Sequence, residues 1–492
     1  MKKILVSLLL LVTMIFNVVA MASCGSTGSG EKPNVDDIIG ELDNAGYQVP
    51  EGGYDGSEVT ITFFHTMSAT KLQPTLDLYI KEFNKLYPNI TIEHEQIGGY
   101  DDVRDQISTE ITVGNQPHIA YCYPDHVALY NLAGGVVTLD QFIESTTTVT
   151  HADGTTEILG LTQAQIDDFI EGYYEEGRQF GDADGDGKNE MYTLPLSKST
   201  EVLYYNKTFF DQNNLEVPTT WDELEAVCAA IKEIDPNSIP LGYDSEANWF
   251  ITMCEQLDTP YTSATGDHFL FDTEENRNFV ERFRGWFQAG YVTTQEIYKS
   301  YTSSLFTETD PNKIKSYMTI GSSAGATHQR PTPVNNKYPF EVGIAGIPQA
   351  NENNRKVISQ GPSLCIFNKE NPQEVIASWL FVKFLTTSIE FQAEFSMTSG
   401  YVPVIKSVQD NAYYANFLSK ANGDTGIAAL AAKQCMAQVD DYYTSPAFNG
   451  SSTARDEVGK LMQKCFVAET NDVKKMIEEA FDDAVEECEY KS

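Results

Sequence analysis

Apolar residues first crowd together at Val59–His65, VTITFFH, where β-branched and aromatic side chains predict a strand. Just beyond it, Leu72, Leu76, Tyr79, Phe83 and Leu86 recur at helical spacing, and Pro88 ends the pattern. In NITIEHEQ, Ile90 and Ile92 alternate with polar neighbours, which predicts a second strand. Strand, helix and strand over this length form an α/β unit with a right-handed crossover. The alternation continues. Val103, Ile107 and Ile111 mark a helix, and a Gly-Asn-Gln-Pro turn leads into the short strand HIAYCY. EVLYYN, Glu201–Asn206, predicts another strand. Before the helix of WDELEAVCAAIKE, Thr220 can cap and Glu223 can close a capping box. KIKSYMTIG reads as a strand, ISQGPSLCIF as a strand followed by an apolar-striped helix, and NDVKKMIEEAFDDAVEEC as a final amphipathic helix. With no repeat of solenoid length, the chain reads as alternating α/β.

At 492 residues the chain is too long for one ordinary domain and suits two or three. Hydrophobic residues at 41% can build real cores, and 21% charged residues do not describe a disordered chain. The formal charge of −38 repels phosphate backbones, which argues against a nucleic-acid partner; its plainest meaning is solubility.

The first residues bear on the compartment. Lys2 and Lys3 precede the apolar run LVSLLLLVTMIFNVVA, a signal-peptide pattern. Cys24 follows Ala22 and Ser23, which resembles a bacterial lipobox, with Met21 where leucine is usual. Lipidation at Cys24 would hold residues 24–57, polar and Gly-rich, as a flexible tether after a signal peptide at 1–23. Plain cleavage near Ser23 is the alternative. No second long apolar run follows, so a mature chain is not expected to span a membrane. The seven remaining cysteines are scattered without a CxxC pair and read mostly as small buried apolar residues.

Several stretches in series resemble one family: FFHTMS, EFNKLYPNITIE, GGYDD, GNQPHIAYCYPDH, LPLSKSTEVLYYNKTFFDQNNLEVPTTWDEL, MTIGSSAGA and GPSLCIFNKENPQEVIASWLFVKFLTTSIEFQAEFSMTSGYVPV. In this order they are similar to the extracellular solute-binding proteins of carbohydrate ABC transporters, nearest the glycerol-3-phosphate and disaccharide binders. The resemblance spans residue 58 to about residue 490. It implies a two-lobed periplasmic-binding-protein-like α/β fold of class II, with a ligand cleft between lobes that close by a hinge. On this reading residues 58–202 and 299–358 form one lobe, and 203–298 and 359–492 the other. Glu201–Asn206 is the expected first crossing, SYMTIG lies in the return segment, and VISQGPS marks the next crossing.

A sugar binder needs carboxylates and amides for hydroxyls and aromatic platforms for the ring face. The resemblance places Tyr100 as a stacking ring and Asp101 as a hydroxyl acceptor; the competing role for Asp101 is a helix N-cap. His65 and Asp125, with His126 beside it, end strands where open α/β sheets hold ligands, although His65 also suits a satisfied core position. Ser199, Trp249, Ser323, Gly325 and Tyr401 complete the expected ligand-binding set. Ser199 has a turn hydroxyl as its rival reading and Trp249 a core position. The phosphate-binding branch grips its anion with a late arginine. Here Ser445, Pro446, Ala447 and Phe448 stand in that region and Arg455 falls several residues later, which favours a neutral sugar.

The stretch GDADGDGKNEMY places Asp182, Asp184, Asp186 and Glu190 at calcium-loop spacing, with Gly187 in the sixth place. Thr193 falls where an EF-hand needs glutamate, so the readings are a structural calcium or an acidic Asp-Gly hairpin. No cofactor is otherwise expected. The functional expectation is capture of a sugar or oligosaccharide by a lipid-anchored monomer, without chemistry, and delivery to ABC transporter permease subunits. The alternatives are a glycerol-3-phosphate or glycerophosphodiester binder and a secreted glycoside hydrolase. The hydrolase would need two carboxylates at a defined separation, which abundant acids cannot single out.

Overall fold

The computed structural model describes residues 47–131, 135–180 and 189–491. Its strands in chain order are β1 (Val59–His65), β2 (Ile90–Gln96), β3 (Ile119–Cys122), β4 (Thr148–Thr150), β5 (Thr156–Ile158), β6 (Leu194–Pro195) and β7 (Ser199–Asn206). After these come β8 (Leu241–Tyr243), β9 (Val292–Thr294), β10 (Met318–Ser322), β11 (Val342–Ala345), β12 (Val357–Gln360), β13 (Ser363–Ile366) and β14 (Tyr442–Tyr443). The predicted opening unit is present. β1 and β2 run parallel, joined through the helix Gln73–Leu86, which buries Leu76, Tyr79 and Phe83. The predicted capping box also forms: Thr220 Oγ1 accepts from the Glu223 N–H, and Glu223 Oε2 accepts from the Thr220 N–H, both at 3.2 Å.

Two sheets organise two lobes. The first has the order β2-β1-β3-β13-β6 and packs on a core that includes Phe63, Phe83, Trp379 and Phe381. The second has the order β14-β12-β7-β10-β8-β9, with β11 also on β7, over a core of Trp221, Trp249, Phe283, Trp286 and Phe481. The chain passes from the first sheet to the second at Leu196–Lys198, between β6 and β7. It returns at Gly361–Pro362, between β12 and β13, where VISQGPS predicts a crossing. It then goes back along the helix Ile427–Ala437, whose residues join the cores on both sides, to β14.

This pairing redraws the expected lobes. Residues 299–358 do not return to the first lobe, because β10 lies between β7 and β8, and β11 and β12 pair with β7. Residues from 363 to the helix Ile389–Ser399 belong to the first lobe instead, with β13 between β3 and β6. A strand such as β10, with Met318 and Ile320 fully buried, reads alike in either sheet, and only the pairing partner decides. The expected tether is also shorter at its far end. Tyr47 is buried and stacks on Phe142 at 5.3 Å, and the Val49 N–H donates to Gln141 Oε1 at 2.8 Å. The strand expected through ISQGPSLCIF splits in two at Gly361, whose φ is +104°. A Cβ there would lie 2.4 Å from the Ser197 carbonyl oxygen, so only glycine lets the two connections touch. All seven cysteines beyond Cys24 are buried, in line with the expectation that most are small buried apolar residues. The predicted lipidation residue Cys24 lies outside the described residues, as do 1–46 generally.

Candidate functional site

β3 ends where the helix Pro124–Asn131 begins, and this turn carries Tyr123 and Asp125 to the lobe boundary. From the second lobe, the helix Ser451–Val467 brings Ser452 and Arg455 to the same place. Ser452 Oγ donates to Asp125 Oδ2 at 2.8 Å. Two adjoining cavities open here, with open volumes of about 670 and 1160 Å³, and both are lined by Tyr123, Asp125 and Arg455. The smaller is walled by Glu176 of the first lobe and by Ile251, Tyr261, Ser359, Gln360 and Ser445 of the second. The larger reaches Asp101, Arg104 and His126 on one side and Asp244, Glu246 and Asp456 on the other.

Below the second-lobe wall lies a polar chain. The Arg455 guanidinium donates to Asn248 Oδ1, and Asn248 Nδ2 donates to Glu201 Oε1 at 2.8 Å. Tyr243 OH donates to Glu201 Oε2 at 2.6 Å. Glu201 is fully buried on β7, and burial pushes its pKa up to about 7, although the two hydrogen bonds and Arg455 pull the other way. Three buried polar atoms on residues of these walls lack a hydrogen-bond partner among the described residues. The Tyr261 OH and Ser445 Oγ make no hydrogen bond among the described residues and line the smaller cavity. His126 Nδ1 has none either and lines the larger; burial holds its imidazole below the ordinary range, so it stays neutral.

Beside Tyr123 the first lobe builds an aromatic wall. The Tyr100 ring lies 4.8 Å from Tyr123 and stacks on Tyr121 at 6.2 Å. The Tyr100 and Tyr401 hydroxyls are hydrogen-bonded at 3.0 Å. Tyr100, Tyr123 and Tyr401 are half-buried, and burial raises all three phenols, which remain neutral hydrogen-bonding groups.

The structure thus brings together Tyr100, Asp125 and Tyr401 around Tyr123, and it leaves Asp101 at the rim. Asp101 is exposed and pairs with Arg104 at 3.2 Å; the helix cap is Gly99, whose N–H donates to Asp102 Oδ2. Five expectations are corrected. His65 is fully buried and satisfied: its Nδ1 accepts from the Met67 N–H, so Nε2 donates to His94 Nδ1 at 2.9 Å. Burial lowers its pKa to about 3, and it is a core histidine. Trp249 is also core, sealed between Tyr243 at 4.8 Å and Phe283 at 4.3 Å. Ser199 and Ser323 are buried fasteners of the crossing: Ser199 Oγ accepts from Ser322 Oγ, and Ser323 Oγ accepts from the Thr200 N–H. Gly325 has open space where a Cβ would stand, so no close approach requires glycine there. Asp182, Asp184 and Asp186 lie outside the described residues, while Glu190 is buried. No metal-ligating group of three acidic, histidine or cysteine side chains occurs among the described residues.

The reading of sequence missed Glu176, Glu201, Asn248 and Tyr261. Glu201 had a signal, as the only charged residue of β7. Arg455, several residues past the region where the family's arginine is expected, still lines both cavities because the helix Ser451–Val467 carries it there.

Comparison with known proteins gives a consistent result. The family described as bacterial extracellular solute-binding protein matches residues 79–420. The maltotriose-binding protein of Pyrococcus abyssi is 22% identical over 358 residues, 71% of this chain and 67% of the relative. The sn-glycerol-3-phosphate-binding periplasmic protein UgpB of Escherichia coli K12 is 23% identical over 379 residues, 74% of this chain and 78% of the relative. Among solved structures, the GacH receptor of Streptomyces glaucescens, known unliganded and with acarbose, superposes with a TM-score of 0.65 at 15% identity, covering 87% of this chain and 98% of the other. UgpB of Mycobacterium tuberculosis with glycerophosphocholine has the same TM-score and identity, covering 88% and 99%.

Proposed function

The chain belongs to the family of bacterial extracellular solute-binding proteins, and from that premise we propose that it captures a sugar or oligosaccharide between its lobes and hands it to an ABC importer. The observation that carries this reading is the interlobe cavity. It sets Tyr123, backed by Tyr100 and Tyr401, against polar residues at Asp125, Glu176, Tyr261 and Ser445. Ring faces stack on phenols, while carboxylates accept from sugar hydroxyls. Binding shifts the lobes toward closure by its differential affinity for the closed state. The closed form then docks on the permease as a monomer, and the protein performs no chemistry itself.

A phosphorylated glycerol is the second reading, favoured by the Arg455 guanidinium on both cavities and by the UgpB relatives. Against it, Arg455 is already engaged by Asn248, and Asp125, Glu176, Asp101 and Asp456 share the same walls. An anion among these carboxylates would be repelled. A thermal-shift panel of mono-, di- and oligosaccharides with sn-glycerol-3-phosphate and glycerophosphodiesters separates the two. A sugar at a hundred times its Kd adds about 2.7 kcal/mol of stability, and a shift from the phosphates alone reverses the assignment. Incubation with labelled oligosaccharide checks the absence of turnover. The lipid anchor belongs to the same proposal: Cys24→Ala is expected to move the protein from the membrane fraction to the soluble one.

A further inference from the structure

The two short connections between lobes lie against each other. The Leu196 N–H donates to the Pro362 carbonyl at 3.0 Å, and Gly361 packs on Ser197 so closely that a Cβ would not fit. A buried ion pair fastens them. Lys198 Nζ, in the first connection, donates to Glu176 Oε2 at 2.7 Å, to Ser363 Oγ at 3.3 Å and to the Gly361 carbonyl at 3.4 Å. Ser359 Oγ, on the second-lobe strand before the other connection, donates to the same Glu176 oxygen at 3.3 Å. The Lys198 side chain is 0% exposed and that of Glu176 is 2%.

A buried ion pair is weak support for stability, since an apolar pair of equal volume does as well. What this one supplies is direction. Glu176 and Ser363 belong to the first lobe, Lys198 and Gly361 to the connections, and Ser359 to the second lobe. Rotation of one lobe on the other therefore changes the distances within this cluster. Glu176 also lines the smaller cavity next to Tyr123, Ser359 and Gln360, and its Oε1 carries no hydrogen bond from the described residues. We propose that Glu176 is a positioning residue that sets the lobe–lobe angle through Lys198 and transmits ligand contact to the hinge. A ligand hydroxyl donating to Oε1 draws on the carboxylate that holds both connections, and the long Ser359 bond is the contact most easily exchanged. The transmission half of this proposal rests on the sugar-binding reading above; the hinge half does not.

The test reads lobe separation directly. Spin labels are placed at Lys81→Cys in the first lobe and Glu233→Cys in the second, both exposed, while the seven native thiols are buried. In ligand-free protein, Glu176→Gln, Lys198→Met and the double variant are each expected to broaden the distance distribution. The double variant leaves no unpaired buried charge and so keeps a melting temperature near that of the parent. An unchanged distribution in that folded double variant overturns the proposal. With whichever panel sugar shifts the parent melting curve, Glu176→Gln is expected to weaken binding about 10- to 100-fold and to blunt the shift in lobe separation. Unchanged affinity overturns the transmission even where the hinge has loosened. If no panel sugar shifts the parent, the sugar-binding reading fails, while the ligand-free distances still decide the hinge.

Discussion

Two aromatic groups flank the lobe boundary, and they differ in what covers them. In the first lobe, Tyr100, Tyr123 and Tyr401 remain half-buried, and Tyr123 lines both cavities. In the second, Tyr243 and Trp249 are fully buried under Phe283, Trp286 and Phe466. Each group begins where a strand gives way to a helix or loop, so the local signal is the same. The second is sealed because the helices Glu274–Gln288 and Ser451–Val467, distant in sequence, close over it. The first is left open, because the facing lobe supplies polar groups there. An aromatic residue becomes a platform or a core element according to what packs on it, and its type does not settle the matter.

That contrast can be broken by exchange. The largest effect is expected for Trp249→Ala, a cavity in a packed aromatic core, which should cost about 3–5 kcal/mol in denaturant unfolding and leave ligand affinity unaltered under conditions where the variant is folded. Loss of affinity without loss of stability would return Trp249 to the ligand site.

Glu201→Gln comes next. Between its ordinary value of 4.5 and its buried value of about 7, the folded protein keeps a proton that the unfolded chain has released. Stability is therefore complete below pH 4.5 and falls as the pH rises toward 7. Glutamine removes that loss, so the variant should be more stable than the parent at pH 8 by about 3 kcal/mol, with a flatter profile from pH 4.5 to 7. A parallel profile in the two proteins would mean that Arg455 fully compensates the buried carboxylate.

Tyr123→Ala tests the open group. Removal of a ring from the shared wall of both cavities should weaken the panel sugar about 10- to 100-fold by titration calorimetry, with a smaller effect on unfolding than Trp249→Ala. The smallest effect belongs to Tyr401→Phe. It deletes one hydroxyl pair and should cost about 1 kcal/mol, read as a modest drop in melting temperature and a few-fold change in affinity.

Much of the fold was legible along the chain. The strand Val59–His65, the helix behind it and the Thr220 capping box are set by local pattern and local hydrogen bonds. Site residues were legible only in part. Tyr100 and Asp125 lie in the first turns of helices that follow strands, Tyr401 follows the end of a helix, and such junctions reach the lobe boundary. His65 did not qualify, because its ring turns inward to His94 and Met67, which involves a partner on the neighbouring strand. Glu176 escaped notice because nothing near it in sequence separates it from Glu175, which takes no part in the hinge.

Element types, the burial of most cysteines beyond Cys24 and the family resemblance are written locally, since periodicity, caps and ordered short stretches act over a few residues. Long-range pairing set which sheet received β10 and β13. Tertiary packing decided which aromatics stayed open and that Lys198 meets Glu176 beneath both crossings. Those outcomes depend on pairing and coverage between segments more than a hundred residues apart in many cases, as for Ser363 against Cys122. A buried strand or ring carries no local mark of its partner.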